Sequence, residues 1–313
     1  MNESVWQLIG GVVCAFLGGE LFLRGVVGLS DWMRIPKAVT AATLAAFATS
    51  SPEISVAVTA ALEGKSPIAL GDALGSNIVN VALVLGLVLC IGPLGFEWRP
   101  NRREFVFALV VPFVLGMSLL DGRFAQWEAI VCLVLFAVWL GLVVRDAVRQ
   151  RADITTTVTP QRGVIAALLG AVGLVFLVLS GRLIVSGATG VGTTIGLDPF
   201  LIGVTVVAFG TSAPELATAV VAKVRGHDEV GVGTILGSNI FNCLFIVGLA
   251  GLIGPFEEPL AHVLPSLLLG VVAVACLTPV RGPSLGRGRG LILLALYVGS
   301  ILLAWFTQRE IIH

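Results

Sequence analysis

Residues 207–221 read VAFGTSAPELATAVV. The stretch is apolar enough to lie inside a membrane, yet Pro214 and Glu215 stand side by side near its middle. Proline breaks the hydrogen-bond ladder of a helix, and an ionised carboxylate in hydrocarbon costs several kcal/mol. A second copy of the same defect lies upstream. FATSSPE (47–53) matches FGTSAPE (209–215), and GDALGSNIVN (71–80) matches GTILGSNIFN (233–242). The matched residues stand 162 positions apart throughout (215 − 53, 239 − 77 and 242 − 80). The register holds without a gap from Gly19/Gly181 and Gly25/Gly187 to Gly92–Pro93/Gly254–Pro255. Chance matches do not keep step over that distance, so the chain is an internal duplication.

Of the 313 residues, 57% are hydrophobic and 12% charged, and the mean hydropathy is +1.01. No water-soluble domain of this size hides so much apolar surface, so the bilayer is the expected solvent. Ten apolar runs reach or approach spanning length: 6–29, 39–62, 68–91, 105–120, 127–144, 164–188, 200–224, 230–253, 264–277 and 291–306. The expected fold class is therefore an all-α membrane protein of ten transmembrane helices. MNESVWQ at the start lacks a basic segment and a small-residue cleavage site, which reads as no signal peptide. All five cysteines fall in apolar runs and read as small buried hydrophobes. Formal net charge is +0, with no basic stripe interleaved with aromatics, so nucleic acid is not an expected partner.

With the N-terminus outside, the inner connections carry fourteen Lys and Arg, and the outer ones only Lys65, Arg123 and Arg309. That asymmetry places both termini outside and predicts a multi-pass protein of the cell (inner) membrane. Each copy holds five spans, an odd number, so the second copy enters from the opposite face. The expected organisation is a first five-helix repeat (1–145), a cytoplasmic linker (146–162) and a second, inverted five-helix repeat (163–313).

The duplicated defects point to chemistry. Pro52 and Pro214 remove a backbone N–H and push away the carbonyl one turn earlier, on Ala48 and Gly210. Bare carbonyls at membrane depth persist only where protein or a water-filled cavity satisfies them. Thr49 and Ser50 stand four and three residues before Glu53, on one helix face, and Thr211 and Ser212 repeat this before Glu215. In the following span Ser76 and Asn80, and again Ser238 and Asn242, are four residues apart. Inverted symmetry brings the four segments together as a cage of carboxylates, hydroxyls, amides and carbonyls near the midplane. Oxygen ligands suit hard cations such as Ca²⁺ and Na⁺, and no His or Cys lies beside these motifs to recruit zinc or copper. A lone proline is usually a kink and a lone Ser or Thr usually bonds its own helix. The duplicated combination with two unpaired acids favours the cation site over that plainer explanation.

Weaker features accompany it. Glu20 and Arg24 read as a local ion pair. Asp72, one turn before Ser76 where the other half has Thr234, reads equally as a pathway residue or an acid near the interface. Glycines of the first and sixth spans, among them Gly18, Gly25, Gly170, Gly173 and Gly187, permit close helix contact.

TSSPE with GSNIVN, and GTSAPE with GSNIFN, resemble the two α-repeats of the calcium/cation antiporter superfamily, particularly the prokaryotic sodium/calcium exchangers. The resemblance covers the core of both halves. It implies Glu53 and Glu215 as central Ca²⁺ and Na⁺ ligands, with Thr49, Ser50, Ser76, Asn80, Thr211, Ser212, Ser238 and Asn242 completing the sites. It also implies contributions from the backbone carbonyls of Ala46 and Ala208, and first and sixth helices that slide over the remaining core. Two departures stand out: Ala48 replaces the usual glycine, which Gly210 keeps, and Asn242 stands where many relatives carry Asp.

The expected function is secondary active antiport of Na⁺ for Ca²⁺ by alternating access, with the two ions as cargo and no cofactor. A H⁺-coupled or K⁺-dependent Ca²⁺/cation antiporter is the nearest alternative, and a cation channel a distant one. No nucleophile–His–acid set lies at membrane depth, so no enzyme activity is expected. The lipid bilayer is the expected surrounding, and a functional monomer is compatible with the reading.

Overall fold

The computed structural model describes residues 2–64, 66–95, 98–151, 160–194, 208–278 and 284–312. The protein is an all-α membrane protein. Its helices are α1 (Asn2–Met33), α2 (Lys37–Thr49), α3 (Ser51–Leu62), α4 (Ser66–Ile91), α5 (Trp98–Ser118) and α6 (Gln126–Arg151). They continue with α7 (Pro160–Thr194), α8 (Ala208–Thr211), α9 (Ala213–Val224), α10 (Asp228–Ile253), α11 (Leu260–Ala275) and α12 (Arg287–Ile312). Five stretches are long and apolar enough to cross a membrane by themselves: Glu3–Met33, Ser66–Ile91, Gln126–Arg149, Arg162–Ser180 and Asp228–Ile253. Large apolar side chains such as Phe16, Met117, Leu168, Val175 and Leu291 are more than half exposed. In water they would be costly; against acyl chains they are not.

Boundaries differ from the sequence reading in three places. α5 starts at Trp98, several residues before the apolar run, because Arg103 turns back onto Glu104 (2.6 Å) and across to Asp146 on α6 (2.8 Å). α6 runs on to Arg151 and α7 begins at Pro160, so helix occupies part of the stretch 146–162 assigned to the connection. The start of the seventh apolar run, Lys65 and His313 lie outside the described residues.

Packing separates the chain into two bodies of contact. One large apolar cluster draws on α2 to α6 and α9 to α12, around Leu85, Leu89, Leu119, Trp139, Ile235 and Leu236. Neither α1 nor α7 contributes to it among the described residues. Those two lie antiparallel on each other. A Cβ on Gly25 would stand 2.5 Å from the Gly170 backbone, and one on Gly173 would stand 2.4 Å from the Phe22 backbone nitrogen. Only a missing side chain allows that approach. A second, smaller cluster of Phe22, Leu23, Val26, Leu177 and Val221 joins the pair to the rest.

Two short antiparallel pairs tie the halves together. β1 (Leu94–Gly95) pairs with β4 (Ser284–Leu285), and β2 (Arg123–Phe124) with β3 (Phe256–Glu257). Each pair takes one strand from each half of the chain. Arg123 and Glu257 add an exposed ion pair at 3.1 Å, and Phe124 stacks on Phe256.

The glycine seam makes a prediction. Gly173→Val forces α1 and α7 apart and should destabilise the fold by about 1–3 kcal/mol, the usual cost of overpacking. Gly141→Val, where an added Cβ meets nothing within 4 Å, should leave the thermal unfolding temperature in detergent close to wild type. Equal stability of the two variants would contradict the close seam.

Candidate functional site

Ser50 separates α2 from α3, and Ser212 separates α8 from α9. Their backbone angles are nearly the same, φ −81°, ψ 12° and φ −84°, ψ 5°. Both sit in the sparsely allowed region between helix and strand that active-site residues often occupy. Their carbonyls accept the N–H groups of Ile54 and Leu216, each at 3.0 Å. A new helix thus starts at each serine, and Pro52 and Pro214 fall in its first turn, where a missing N–H costs nothing.

At Pro52 this corrects the sequence expectation of a proline that bares a carbonyl. The Ala48 carbonyl is occupied by the Ser51 hydroxyl at 2.6 Å. What the break supplies instead is a helix N-terminus. Glu53 and Glu215 lie in the first turns of α3 and α9, where aligned peptide dipoles favour negative charge.

The two glutamates are buried, 1% and 0% exposed, and their charges act on each other. Around Glu215 the hydroxyls close in. Ser50 and Ser238 reach its Oε1 at 3.2 and 3.1 Å and lie 3.2 Å from each other, and Thr49 stands beside the same carboxylate. The corresponding residues of the other half are Ser212, Ser76 and Glu53. Ser76 lies next to Glu53, yet Ser76 Oγ, Ser212 Oγ and both Glu53 oxygens are buried without a hydrogen-bond partner. Glu215 Oε2 shares that condition. One half of the cluster is knitted together and its counterpart is open.

The amides are organised by two residues that the sequence reading did not assign a role. Asn77 and Asn239 donate to each other's backbone carbonyls, both at 3.3 Å. Asn80 Nδ2 donates to Asn239 Oδ1 at 3.1 Å, and Asn242 Nδ2 to Asn77 Oδ1 at 2.9 Å. The nitrogens of Asn80 and Asn242 are thereby committed, which fixes the amide sense and leaves both Oδ1 atoms buried without partners. Asn77 also donates to Cys243 Sγ at 3.0 Å, so that cysteine does more than fill space. The signal was present in the sequence: GSN recurs in both halves at the common offset. Backbone geometry assists. A wider, π-type turn begins at Val79 in α4 and at Phe241 in α10, one residue before Asn80 and Asn242. Such turns re-aim side chains and cluster at functional sites.

Of the remaining residues, Thr49 donates to the Ala45 carbonyl at 3.0 Å, and Thr211 is buried. The Ala46 carbonyl already receives the Ser50 N–H at 3.0 Å and the Thr49 hydroxyl at 3.3 Å. Ala208 opens α8, and only its helical backbone is described. No three His, Cys, Asp or Glu side chains gather among the described residues. The cluster is a mixed set of carboxylate, hydroxyl and amide oxygens, which suits a hard cation. The Glu20–Arg24 pair is present at 2.7 Å, and Arg225 reaches the other oxygen of Glu20 at 2.8 Å.

A family model described as sodium/calcium exchanger protein matches residues 3–145 and 165–306, most of the chain. The chain belongs to the sodium/calcium exchanger family. Within it, this chain stands with the prokaryotic exchangers of the calcium/cation antiporter superfamily. It is 35% identical over 298 residues to inner membrane protein YrbG of Escherichia coli (strain K12), covering 91% of this chain and 92% of that one. It is 25% identical over 342 residues to the sodium/calcium exchanger MaX1 of Methanosarcina acetivorans, covering 96% and 97%. The solved structure of the sodium/calcium exchanger from Methanococcus jannaschii superposes with a TM-score of 0.82 at 26% identity, covering 96% of this chain and 98% of that one.

For this exchanger-family chain the crossed asparagines carry a prediction. Asn77→Ala and Asn239→Ala each strand the amide of Asn242 or Asn80 in a buried site, at about 1–3 kcal/mol. Both should lower the thermal unfolding temperature to a similar degree. A loss confined to one of the two would contradict the symmetric network.

Proposed function

We propose that the protein exchanges Na⁺ for Ca²⁺ across the membrane by alternating access at one central site. The observation that carries this reading is the pair Glu53 and Glu215: two buried acids with partnerless oxygens, each at a helix start, among neutral oxygen donors. A buried, unpaired carboxylate is too costly to persist in its charged form without a cation, and otherwise takes up a proton. The proposed ligands are Glu53 and Glu215, with Thr49, Ser50, Ser76, Asn80, Thr211, Ser212, Ser238 and Asn242; the carbonyls of Ala46 and Ala208 are secondary candidates. The exchange between sodium and calcium comes from the relatives' names, and the oxygen chemistry is compatible with both ions.

The proposed topology is ten spans as two inverted five-helix repeats, both termini outside, joined by a cytoplasmic connection within 146–162, in the inner membrane. Reciprocal bonds between residues 162 positions apart support a two-fold relation. The strand pairs support it too, since each joins two connections that the ten-span path leaves on a common side. The unequal hydrogen bonding of the Glu215 and Glu53 clusters supports alternation: an inverted repeat with one half knitted and one open has a second state with the halves exchanged. The absence of α1 and α7 from the main apolar cluster supports their sliding as a pair.

Ca²⁺ flux into proteoliposomes under separate Na⁺, K⁺ and H⁺ gradients tests the coupling. A Na⁺ gradient should drive uptake, while uptake driven by H⁺ without Na⁺ would favour the proton-coupled alternative, and a requirement for K⁺ the potassium-dependent one. Glu53→Gln and Glu215→Gln should each abolish exchange in a folded, inserted protein; near-normal exchange in either variant would overturn the site.

Charge adds a further expectation. With amides at positions 80 and 242, the two glutamates carry about −2, which one Ca²⁺ or two Na⁺ neutralise. A third Na⁺ per cycle makes the loaded carrier positive and its movement voltage-dependent, at about 2.3 kcal/mol per charge per 100 mV. The reversal point of Na⁺-driven Ca²⁺ flux at clamped potentials decides: a voltage-independent value means two-for-one exchange.

A further inference from the structure

Asp72 lies in α4, one turn before Ser76. Its counterpart in the other half, Thr234, is neutral and wholly buried, so the fold itself does not require an acid at this place. Asp72 is half-buried, with two different sides. The preceding Gly71 is exposed, and a Cβ built on it would meet nothing within 4 Å among the described residues. That side faces open space. On the other side the Thr211 side chain stands against the Asp72 carboxyl, α8 packs on this part of α4, and the Asp72 charge acts on Glu53. Asp72 Oδ2 is shielded from solvent and has no hydrogen-bond partner. Next to it lie the partnerless oxygens of Glu53, a residue 1% exposed.

The carboxyl thus lies beside Thr211 and within reach of the Glu53 charge, next to an uncovered position of α4, with no cationic side chain among the described residues to balance it. Three acids do not gather into one cluster, so Asp72 is not a third ligand of the central cage. We propose that Asp72 and Thr211 form an outer cation-binding position that captures the incoming cation and passes it to Glu53. The proposal rests on the transport reading above. An acid at the mouth of a low-dielectric passage concentrates cations and speeds their entry. It also supplies negative charge that the asparagines at 80 and 242 do not.

The test is the Ca²⁺ concentration for half-maximal Na⁺-driven uptake in proteoliposomes, measured for wild type, Asp72→Thr and Asp72→Glu. Asp72→Thr copies the residue that the other half already accommodates. It should raise the half-saturating Ca²⁺ about tenfold, a lower-end figure for electrostatic focusing. The increase should shrink as ionic strength rises, and Asp72→Glu, which keeps the charge, should stay near wild type. An unchanged half-saturating concentration in folded Asp72→Thr would overturn the proposal. So would an increase that is independent of salt and equally present in Asp72→Glu, since that marks a structural role. Should Asp72→Thr not insert, Asp72→Asn is measured in its place against the same two outcomes. A wild-type protein that does not exchange Na⁺ for Ca²⁺ would sink the transport reading itself, whereas failure of Asp72→Thr alone sinks only the outer position.

Discussion

Two buried carboxylates whose charges act on each other, with no cationic partner among the described residues, set the terms for this structure. Each is a large desolvation cost in isolation, and their mutual repulsion adds to it. The surrounding architecture reduces that cost by every means a helical protein has. The backbone breaks at Ser50 and Ser212 place each glutamate in the first turn of a helix, at the positive end of its dipole. Hydroxyls from other helices reach Glu215. These devices lessen the cost but do not remove it, because three of the four carboxylate oxygens remain without partners. The remainder is a cost that a cation or a proton at these oxygens would offset.

Rigidity and asymmetry are divided between different residues of the same site. The bonds among the asparagines are reciprocal: Asn77 and Asn239 exchange equal bonds, and each receives one amide from the other half of the chain, while Asn77 also donates to Cys243 Sγ. The serine–glutamate clusters are not, since one is bonded and its counterpart is open. The reciprocal bonds favour neither half, so the difference between the halves is left to the side chains around them and to the helices outside. α1 and α7 are the long helices that stand apart from the main apolar cluster among the described residues. Their contact with each other is backbone against backbone along a glycine seam, while Phe22, Leu23, Val26 and Leu177 join them to the rest through a separate, smaller cluster. Ridges that interdigitate hold helices in register; smooth faces do not.

Much of this was readable in the sequence because duplication turns weak signals into strong ones. A single Pro–Glu pair in an apolar stretch is ambiguous; two at a fixed offset, each followed by GSN and a further Asn, are not. The all-α membrane class followed from the apolar runs alone, and membership of the exchanger family from the paired motifs. The local consequence of the prolines was misread. Helix-ladder logic treats proline as a defect in a continuous helix, whereas Pro52 and Pro214 sit in the first turn of a new one, and the Ala48 carbonyl that should have been bare is held by Ser51. The ends of α5 and α6 were missed because their extensions are polar and held by Arg103 with Glu104 and Asp146, which hydropathy does not see. Asn77 and Asn239 were visible as matched letters, but their role is a pairing between the two halves of the chain, and pairing between distant segments is not written in local spacing.

The neutral amides at 80 and 242 are the point at which fold and function meet most closely. An aspartate in either place would bring a third charge to the cage, but it would also lose the N–H that the crossed network uses. Asn80 Nδ2 and Asn242 Nδ2 both donate into that network, and a carboxylate has nothing to donate. The opposite asparagine's Oδ1 would then face another acceptor across a buried gap, a repulsive contact in a medium that screens poorly. The pair of amides therefore trades charge at these positions for a network in which both Nδ2 donors are paired. With neutral amides at 80 and 242, the acids of the duplicated motifs are Glu53 and Glu215, at the two helix starts.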